Sequence, residues 1–454
     1  MVSPIQKHTI IFRVCSRILA GILVLVLTIV AGCSHKQDKK NDVITLRMVV
    51  WGTAADEKTW NEKLKLFYKD HPHIRVRLEF TPWERTFDKL LISTAGGKAP
   101  DASIISSIWF VPCAAKGLLE DLGPYVERDK NFDIEDFYPA AINGWGQYGG
   151  KLYAIPAGID IYAMYYNKTM FDKYGVPYPD ETWDWNKYLW AAKKLTKDLD
   201  GDGRTDQWGT TQNMWQTYVW QNGGDIVDKT GKKCLLDRPE AIEALQFMGD
   251  LRDKYHVAPT AAELADIGTK NLFTNGKVGM YFSGSWAVPL YFEKEIKNFE
   301  YDVAPVPKGK YRATFFGGAS YAILKGSKHK KEAWELVKFM VRREALRERA
   351  IKEQVVPSRI SVAESNAFLH LSGPPKHRKV FLDAIAYGRT LPALPASREM
   401  SYIIDNELHP VLSGKKKAAD VCPDLAKKIN DFLKFEPAVN TATYKIPRRR
   451  HSDG

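Results

Sequence analysis

The sequence lacks the residues and spacings that mark many enzymes and metal centres. Its 454 residues contain 5 cysteines and 10 scattered histidines, and no two cysteines have CxxC spacing. A disulfide or metal framework is therefore disfavoured. The motifs GxSxG and HExxH are absent, as is any nucleic-acid-binding motif. No internal repeat of about 20–50 residues is present, which excludes a solenoid or a propeller.

Long apolar runs are also missing, apart from one near the start. Ile18 to Val30 is almost wholly apolar, but about 13 residues are too few to span a bilayer, which takes roughly 20. The basic residues Lys7, Arg13 and Arg17 precede it. A positive start followed by a short apolar centre predicts a secretory signal peptide over residues 1–32.

The end of that run contains small residues followed by one cysteine. Val30-Ala31-Gly32-Cys33 resembles the lipobox of bacterial lipoproteins. The resemblance implies a thioether-linked diacylglycerol on Cys33 and cleavage before it, so the chain would lie outside the cytoplasm on a lipid anchor. The alternative is an ordinary signal peptide with an incidental cysteine. The polar, lysine-rich residues 34–42 suit a solvated tether within the segment 33–42.

The cysteines and the charge say little more about partners. Cys113, Cys234 and Cys422 are best interpreted as small buried hydrophobic residues, although one disulfide among them stays possible. The formal net charge of +12 falls to +9 without the leader, whose only charged side chains are three basic ones. Attraction to anionic lipid or wall polymer is the simpler interpretation, and an acidic ligand is the alternative.

The first part of the chain alternates strands and helices. Residues 43–50 and 74–80 predict strands, 59–69 and 83–95 predict helices, and 102–105 predicts a third strand. This order predicts a parallel sheet with helices on its faces. Further along, 163–167, 301–304 and 315–324 read as strands. Helices are predicted at 185–195, 239–255, 330–349, 402–412 and 418–433.

Several stretches, in a fixed order, resemble one family. They are GKAPDASII, KGLLEDL, KLYAIPAGIDIYAMYYNKTMF, KVGMYFSGSWAV, YDVAPVPKG and FFGGASYAILKGSKHKKEAWELVKFM. Together with the lipobox they look like the solute-binding lipoproteins of carbohydrate ABC importers, the class that includes maltose-binding proteins. The resemblance runs from about Ile44 to Leu433.

The resemblance implies an α/β fold of the periplasmic-binding-protein type, with two lobes, a ligand cleft between them and two or three crossing segments. Lobe one would comprise 43–156 and 317–352, lobe two 157–316 and 353–445, and a basic tail 446–454. The crossings would fall near 155–160, 316–318 and 354–357. Glycines at 158, 317 and 318 suit backbone that rotates, although a strand bulge would also use them.

Candidate ligand residues are those that suit sugars, which offer C–H faces to aromatic rings and hydroxyls to polar groups. The chain has 13 tryptophans. Trp286 matches a tryptophan that stacks on sugar in the family, and Asp160 matches an acidic residue that bonds sugar hydroxyls. Trp51, Trp83, Ser106, Ser107 and Trp109 follow predicted strands. Trp215 and Trp220 share a predicted helix, and Tyr321 and Arg398 complete the set. Core packing is the alternative for each aromatic residue, and a structural hinge role for Asp160.

A separate acidic loop, DLDGDGRTDQWG, suggests a cation. Asp198, Asp200 and Asp202 occupy positions 1, 3 and 5 of a calcium loop. Arg204 would supply a backbone carbonyl, and Asp206 stands at position 9. Position 12 is Gly209, which rules out a complete EF-hand. Similar loops bind calcium in some family members, so a structural calcium is expected. The alternative is a solvated turn.

The function that follows is capture of a carbohydrate, with an oligosaccharide expected, and its delivery to the permease subunits of an ABC importer. The protein is expected to be a monomer that catalyses nothing and binds no nucleic acid. A secreted glycan hydrolase is one alternative, but it needs two carboxylates about 5–10 Å apart, and no such motif stands outside the Asp198 loop. A surface adhesin or structural lipoprotein is another. It would lack closure of the lobes on a ligand.

Overall fold

Two β-sheets organise the chain. The structure is a computed structural model that describes residues 43–211, 214–440 and 442–447. The predicted signal peptide, Cys33 and the tether lie outside these residues, as does most of the basic tail. No helix within the described ranges is both long enough and apolar enough to cross a membrane.

The larger sheet forms the first lobe, with strand order β12-β11-β3-β1-β2 and with β6 paired to β11. Strand β1 runs parallel to β3, whereas β11 runs antiparallel to both β3 and β6. The parallel arrangement predicted for the first strands is thus found between β1 and β3, and the sheet becomes mixed because β11 returns from the second lobe in the opposite direction. Its strands are β1 Ile44–Trp51, β2 Ile74–Thr81, β3 Ala102–Ser106, β6 Ala154–Ile161, β11 Thr314–Ile323 and β12 Gly388–Arg389.

The smaller sheet forms the second lobe, with strand order β10-β7-β9-β8. Strand β7 pairs antiparallel with β10 and β9, and β8 runs parallel to β9. A short hairpin, β4 with β5, stands apart from both sheets. The remaining strands are β4 Gln147–Tyr148, β5 Lys151–Leu152, β7 Ala163–Asn167, β8 Trp208–Thr210, β9 Val278–Ser283 and β10 Tyr301–Ala304.

Helices cover the sheets and build the C-terminal part of the second lobe. In chain order the α-helices are Glu57–Asp70, Trp83–Ala95, Ser107–Ala115, Gly123–Arg128, Pro139–Trp145, Lys168–Lys173, Trp185–Leu195, Trp215–Gln221, Pro239–Asp253, Ala261–Ile267, Thr269–Thr274, Glu293–Glu295, Lys330–Met340, Arg343–Glu353, Ile360–Ala363, Asn366–Leu369, Lys379–Asp383, Ser397–Leu412 and Ala418–Leu433. Short 3-10 turns occur at Ala54–Asp56 and Ala384–Tyr387, and a π-helical turn at Val288–Phe292.

The single long helix predicted over 330–349 is two helices. The first ends at Met340 and the second starts at Arg343. The carbonyl of buried Val341, which a continuous helix would use internally, instead accepts the side-chain N–H of Arg359 at 2.7 Å. A side chain 18 residues further along therefore holds the backbone at the break.

Three backbone segments connect the lobes: strand β6, strand β11 and the segment around Val356. Strand β6 leads through Tyr162 directly into β7 of the second lobe. Strand β11 lies beside β6 with Gly318 opposite Ile159, and the Ile159 N–H donates to the Val356 carbonyl at 2.9 Å. A Cβ on Gly318 would lie 2.2 Å from the carbonyl oxygen of Gly158, so only glycine allows this close approach.

A core of helices closes the second lobe behind its sheet. Helices 239–253, 397–412 and 418–433 pack around a cluster that includes Leu245, Ile404 and Leu425. Cys113, Cys234 and Cys422 are buried and unpaired, which confirms their interpretation as small hydrophobic residues. Burial raises the pKa of the Cys113 thiol to about 12, so it is unreactive in the folded protein.

Candidate functional site: an aromatic-lined junction between the lobes

Three of the predicted tryptophans form one aromatic cluster in the first lobe. Trp51 ends β1, Trp83 begins the helix that follows β2, and Trp109 lies in the helix that follows β3. The Trp83 and Trp109 rings are 4.6 Å apart between centroids, and Trp51 meets Trp109 edge-on at 6.2 Å. Trp109 is buried, whereas Trp83 is 40% exposed. The Trp83 ring is therefore accessible to solvent, and the buried Trp109 ring packs against it.

The two predicted serines behave differently. Ser106 is buried and its hydroxyl accepts the Ile108 N–H at 3.4 Å, which caps the following helix. Ser107 is half-buried, and its hydroxyl accepts the N–H of Gly318 on the crossing strand β11 at 3.0 Å. Ser107 thereby ties the first-lobe helix to the crossing pair.

Asp160 lies on the crossing strand β6, opposite Gly317 of β11. Its side chain keeps some exposure, but protein surrounds it, and this burial raises the pKa of the carboxyl to about 6. Arg349 acts in the opposite direction and favours the ionised form. A partly desolvated carboxylate is a strong acceptor for ligand hydroxyl groups.

A buried ion cluster stands behind the crossing strand. The Arg349 guanidinium donates to the Ala157 carbonyl at 2.9 Å and to Glu353 at 3.0 Å, and Glu353 also pairs with Lys63. Burial alone would raise the pKa of Glu353, but Arg349 and Lys63 together lower it to about 2. This cluster fixes the strand that carries Asp160.

Trp286 is the predicted aromatic residue of the second lobe, and it is half-buried. Its ring packs edge-on against Tyr162 at 5.4 Å, and Tyr162 meets Phe315 at 5.6 Å. Because Tyr162 joins β6 to β7 and Phe315 lies in β11, Trp286 sits beside the crossing strands. Asp160 and Trp286 are therefore placed at the same junction.

Two cavities open near this junction. One lies between the first lobe, β11 and the segment 390–397, and its lining, which is polar and apolar in about equal parts, includes Ser107, Asn143, Phe316 and Thr390. The other lies in the second lobe and has a mostly apolar lining that includes Tyr162, Trp185, Tyr218 and Gln221. An apolar lining with a few polar groups, as in the second cavity, is typical of small-molecule sites.

Of the four other predicted ligand residues, three have hydrogen-bond or ion-pair partners within the protein and the fourth, Tyr321, is buried. Trp215 and Trp220 are buried in the second-lobe core, and their indole N–H groups donate to Asp405 at 3.0 Å and to Asp225 at 3.2 Å. Tyr321 is buried, and burial raises its pKa to about 12. Arg398 pairs with Asp88 at 2.6 Å. Their contact with a ligand stays a prediction.

The acidic loop brings three of its four carboxylates together. Oxygens of Asp198, Asp200 and Asp206 lie within 4.8 Å of one another, and Asp202 is outside that group. Backbone N–H groups of Gly203 and Gly201 donate to Asp198 and lower its pKa. Such a set of oxygen ligands fits a hard cation such as calcium. Arg204 donates its backbone N–H to Asp202 at 2.7 Å.

Some junction residues were not predicted from the sequence. Tyr162, Trp185 and Arg349 are examples. Tyr162 is the last residue of AGIDIY, two positions after Asp160, so its position next to the predicted crossing could have identified it. Arg349 reaches β6 from a helix far along the chain, and no local pattern marks it.

Comparison with known proteins agrees with this architecture. The model of the family described as bacterial extracellular solute-binding protein matches residues 51–346. A Brucella abortus protein described as a binding protein is 27% identical over 398 residues, covering 87% of this chain and 94% of the relative. The galactooligosaccharide-binding protein of Bacillus subtilis is 22% identical, covering 87% of this chain and 93% of the relative.

Solved structures show the same fold. An ABC substrate-binding protein from Listeria monocytogenes, in complex with cycloalternan, superposes with a TM-score of 0.79 at 28% identity, covering 87% of this chain and all of that one. A maltose-bound protein from T. maritima superposes with a TM-score of 0.72 at 24% identity, covering 86% of this chain and all of that one. The prediction of a two-lobed α/β fold is thereby confirmed.

Proposed function

Since the chain belongs to the bacterial extracellular solute-binding protein family, we propose that it captures an oligosaccharide and delivers it to an ABC importer. One observation carries the proposal. The solved structure at 28% identity is of a protein in complex with cycloalternan that has the same fold, and in this chain Asp160 and Trp286 lie beside the crossing strands while the Trp83 cluster lies in the first lobe.

The mechanism is binding by lobe closure. Trp83 and Trp286 offer aromatic faces to the C–H surfaces of sugar rings, and Asp160 accepts hydroxyl hydrogen bonds. A ligand shifts the balance between open and closed forms only through its different affinity for the two. Residues from both lobes contact it in the closed form alone, so the sugar stabilises closure and the permease subunits receive the closed protein.

The comparison with relatives favours binding over catalysis, since the matched relatives are binding proteins. A glycan hydrolase needs an acid and a second carboxylate flanking the scissile bond. Asp160 is the carboxylate identified at the junction, and Glu353 behind it is engaged by Arg349 and Lys63. Incubation with oligosaccharides should therefore give binding with no release of shorter sugars.

The experiment that tests this function is a thermal-shift and calorimetric screen of purified protein. The panel contains cycloalternan, galacto-oligosaccharides, maltotriose and mannotriose, with the free amino acids as controls. A ligand present at 100 times its Kd adds about 2.7 kcal/mol of stability, which is a readily measured rise in Tm. Stabilisation by an amino acid and by no sugar would contradict the proposal.

The same proposal includes a lipid anchor, since the family is extracellular and Cys33 ends a lipobox-like sequence. Acyl chains gain about 0.8 kcal/mol for each buried CH₂, so several chains hold a protein firmly at a membrane. The protein would then work as an anchored monomer beside its permease.

The acidic loop would hold calcium as a structural ion. The three converging carboxylates would be its ligands, and charge neutralisation would stabilise the turn that leads into β8. Titration of chelator-treated protein with calcium, followed by calorimetry, tests this. Equal heats with calcium and with sodium would contradict it.

A further inference from the structure

The last described residues of the chain contact both lobes. After the helix Ala418–Leu433, the described residues 436–440 and 442–444 have no regular secondary structure, and we call them together the strap. It leaves the second lobe beside the loop 228–233 and reaches the β4–β5 hairpin of the first lobe. It thus forms a further contact between the lobes, separate from the crossing strands.

The strap is attached to the second lobe by backbone and apolar contacts. The Val439 N–H donates to the Thr230 carbonyl at 2.9 Å. The ammonium of Lys232 donates to the Glu436 carbonyl. A Cβ on Gly231 would lie 2.6 Å from a methyl group of Val439, and Gly231 has φ +69°. This glycine therefore lets the strap lie directly on the loop.

The attachment to the first lobe has the same character. The Gly150 N–H donates to the Ala442 carbonyl at 3.1 Å, and the Tyr444 N–H donates to the side-chain oxygen of Gln147 at 3.2 Å. A Cβ on Gly149 would lie 2.8 Å from the Asn440 side chain. The turn of the β4–β5 hairpin thus leaves room for the strap to lie against its backbone.

The distance along the chain between the two attachments is short. Val439 is held by the second lobe and Ala442 by the first, with two residues between them. Three residue steps reach at most about 10–11 Å even when fully extended. Any lobe movement that would carry Val439 and Ala442 further apart than this must detach the strap from one lobe.

We propose that the strap holds the two lobes in the arrangement seen in the structure and so sets the balance between open and closed forms. The strap would thereby regulate the lobe movement on which the proposed function rests. Its effect follows from backbone hydrogen bonds on both sides, so its strength does not depend on which sugar is bound.

The test compares interlobe distances in the full chain and in three altered chains, all without ligand. Nitroxide labels are placed by Lys98→Cys in the first lobe and Lys254→Cys in the second, in a Cys33→Ser background. Both lysines are exposed, whereas the thiols at 113, 234 and 422 are buried. One chain stops after Glu436 and lacks the attachments made by residues 439–444. The matched control stops after Pro447 and keeps them. The third carries four Gly/Ser residues between Val439 and Asn440, which keeps every attachment but adds about 13 Å of reach.

We expect the control to match the full chain. The chain ending at Glu436 and the lengthened chain should both gain a second distance population, with the ratio of populations shifted roughly five-fold, the effect of one net hydrogen bond. Identical distance distributions in all chains would refute the proposal that the strap restrains the lobes. Because no sugar is present, this result is independent of the screen that tests carbohydrate binding. The lengthened chain retains all contacts, so it answers the question even if the shortened chain folds poorly.

Discussion

Asp160 should make the protein less stable at neutral pH than it would be without this carboxylate. Burial raises its pKa from the usual 3.8 to about 6. The folded state therefore binds the proton more tightly than the unfolded state does. Below pH 3.8 the carboxyl is protonated in both states, and the stability that comes from its tighter proton binding in the folded state is fully present. That contribution is lost as the pH rises from 3.8 through 6.

The size of the effect follows from that shift. Each pKa unit corresponds to about 1.36 kcal/mol, so complete ionisation costs about 3 kcal/mol of unfolding free energy. The carboxylate keeps some access to solvent, so this figure is an upper value. The substitution Asp160→Asn keeps the shape and removes the charge. It should raise the unfolding free energy at pH 7 by up to about 3 kcal/mol and leave it unchanged near pH 3. The same variant should bind sugar more weakly, because an amide is a poorer acceptor for hydroxyl groups than a carboxylate.

Urea unfolding between pH 3 and pH 8 provides the measurement, with Glu353→Gln as the opposite control. The pKa of Glu353 is lowered to about 2 from 4.5, so its contribution is present above pH 4.5 and is lost as the pH falls toward 2. Glu353→Gln should therefore destabilise the protein by about 3 kcal/mol at pH 7, since it leaves Arg349 buried without its partner. A destabilised Asp160→Asn at pH 7, or equal pH profiles for the two variants, would refute the reasoning.

Three further predictions concern the site, the cation and the anchor. Trp286→Ala should weaken the binding of the sugar found in the screen by at least about ten-fold, because the sugar loses an aromatic ring on which to stack. Trp190→Ala, on an exposed helix face, is the control and should leave the affinity unchanged. Calorimetry measures both affinities, and equal values would show that Trp286 is not part of the site. Asp198→Asn should abolish the calcium-dependent rise in Tm, whereas Asp202→Asn, outside the converging group, should reduce it less; a rise that survives in Asp198→Asn would exclude this loop. Cys33→Ser should move the protein from the membrane to the soluble fraction after cell fractionation, and unchanged sedimentation would rule out the lipid anchor.

Local sequence patterns predicted much of the fold. The helix Trp83–Ala95 and the strand Ala163–Asn167 have the predicted bounds, because apolar periodicity and a flanking proline or capping residue act within a few positions. The break at Val341 was missed, and the group that bonds to the backbone there is the side chain of Arg359, 18 residues away. Such contacts depend on the folded topology and leave no mark on the local pattern.

In the candidate site, too, some residues could be predicted from local motifs and others could not. Trp286 and Asp160 stand in recognisable motifs, and the structure places both beside the crossing strands. The bond from Gly318 to Ser107 joins residues 211 positions apart. A single sequence gives the identity of such residues but no information about which of them meet. Exposure is equally hidden, since Trp83 and Trp109 look alike in the sequence and only Trp83 is accessible.

The close approach of Gly158 and Gly318 has a consequence for how the halves of the molecule turn. Strands β6 and β11 lie backbone against backbone there, and Val356 of the third segment bonds to β6, so the halves are joined by a narrow ribbon of three segments. Such a ribbon resists stretching but yields to torsion, and the torsion is shared among successive peptide pairs. A small rotation at each pair adds up along its length while every interstrand bond is kept. The pivot is therefore distributed over the whole ribbon, and no single residue acts as a joint.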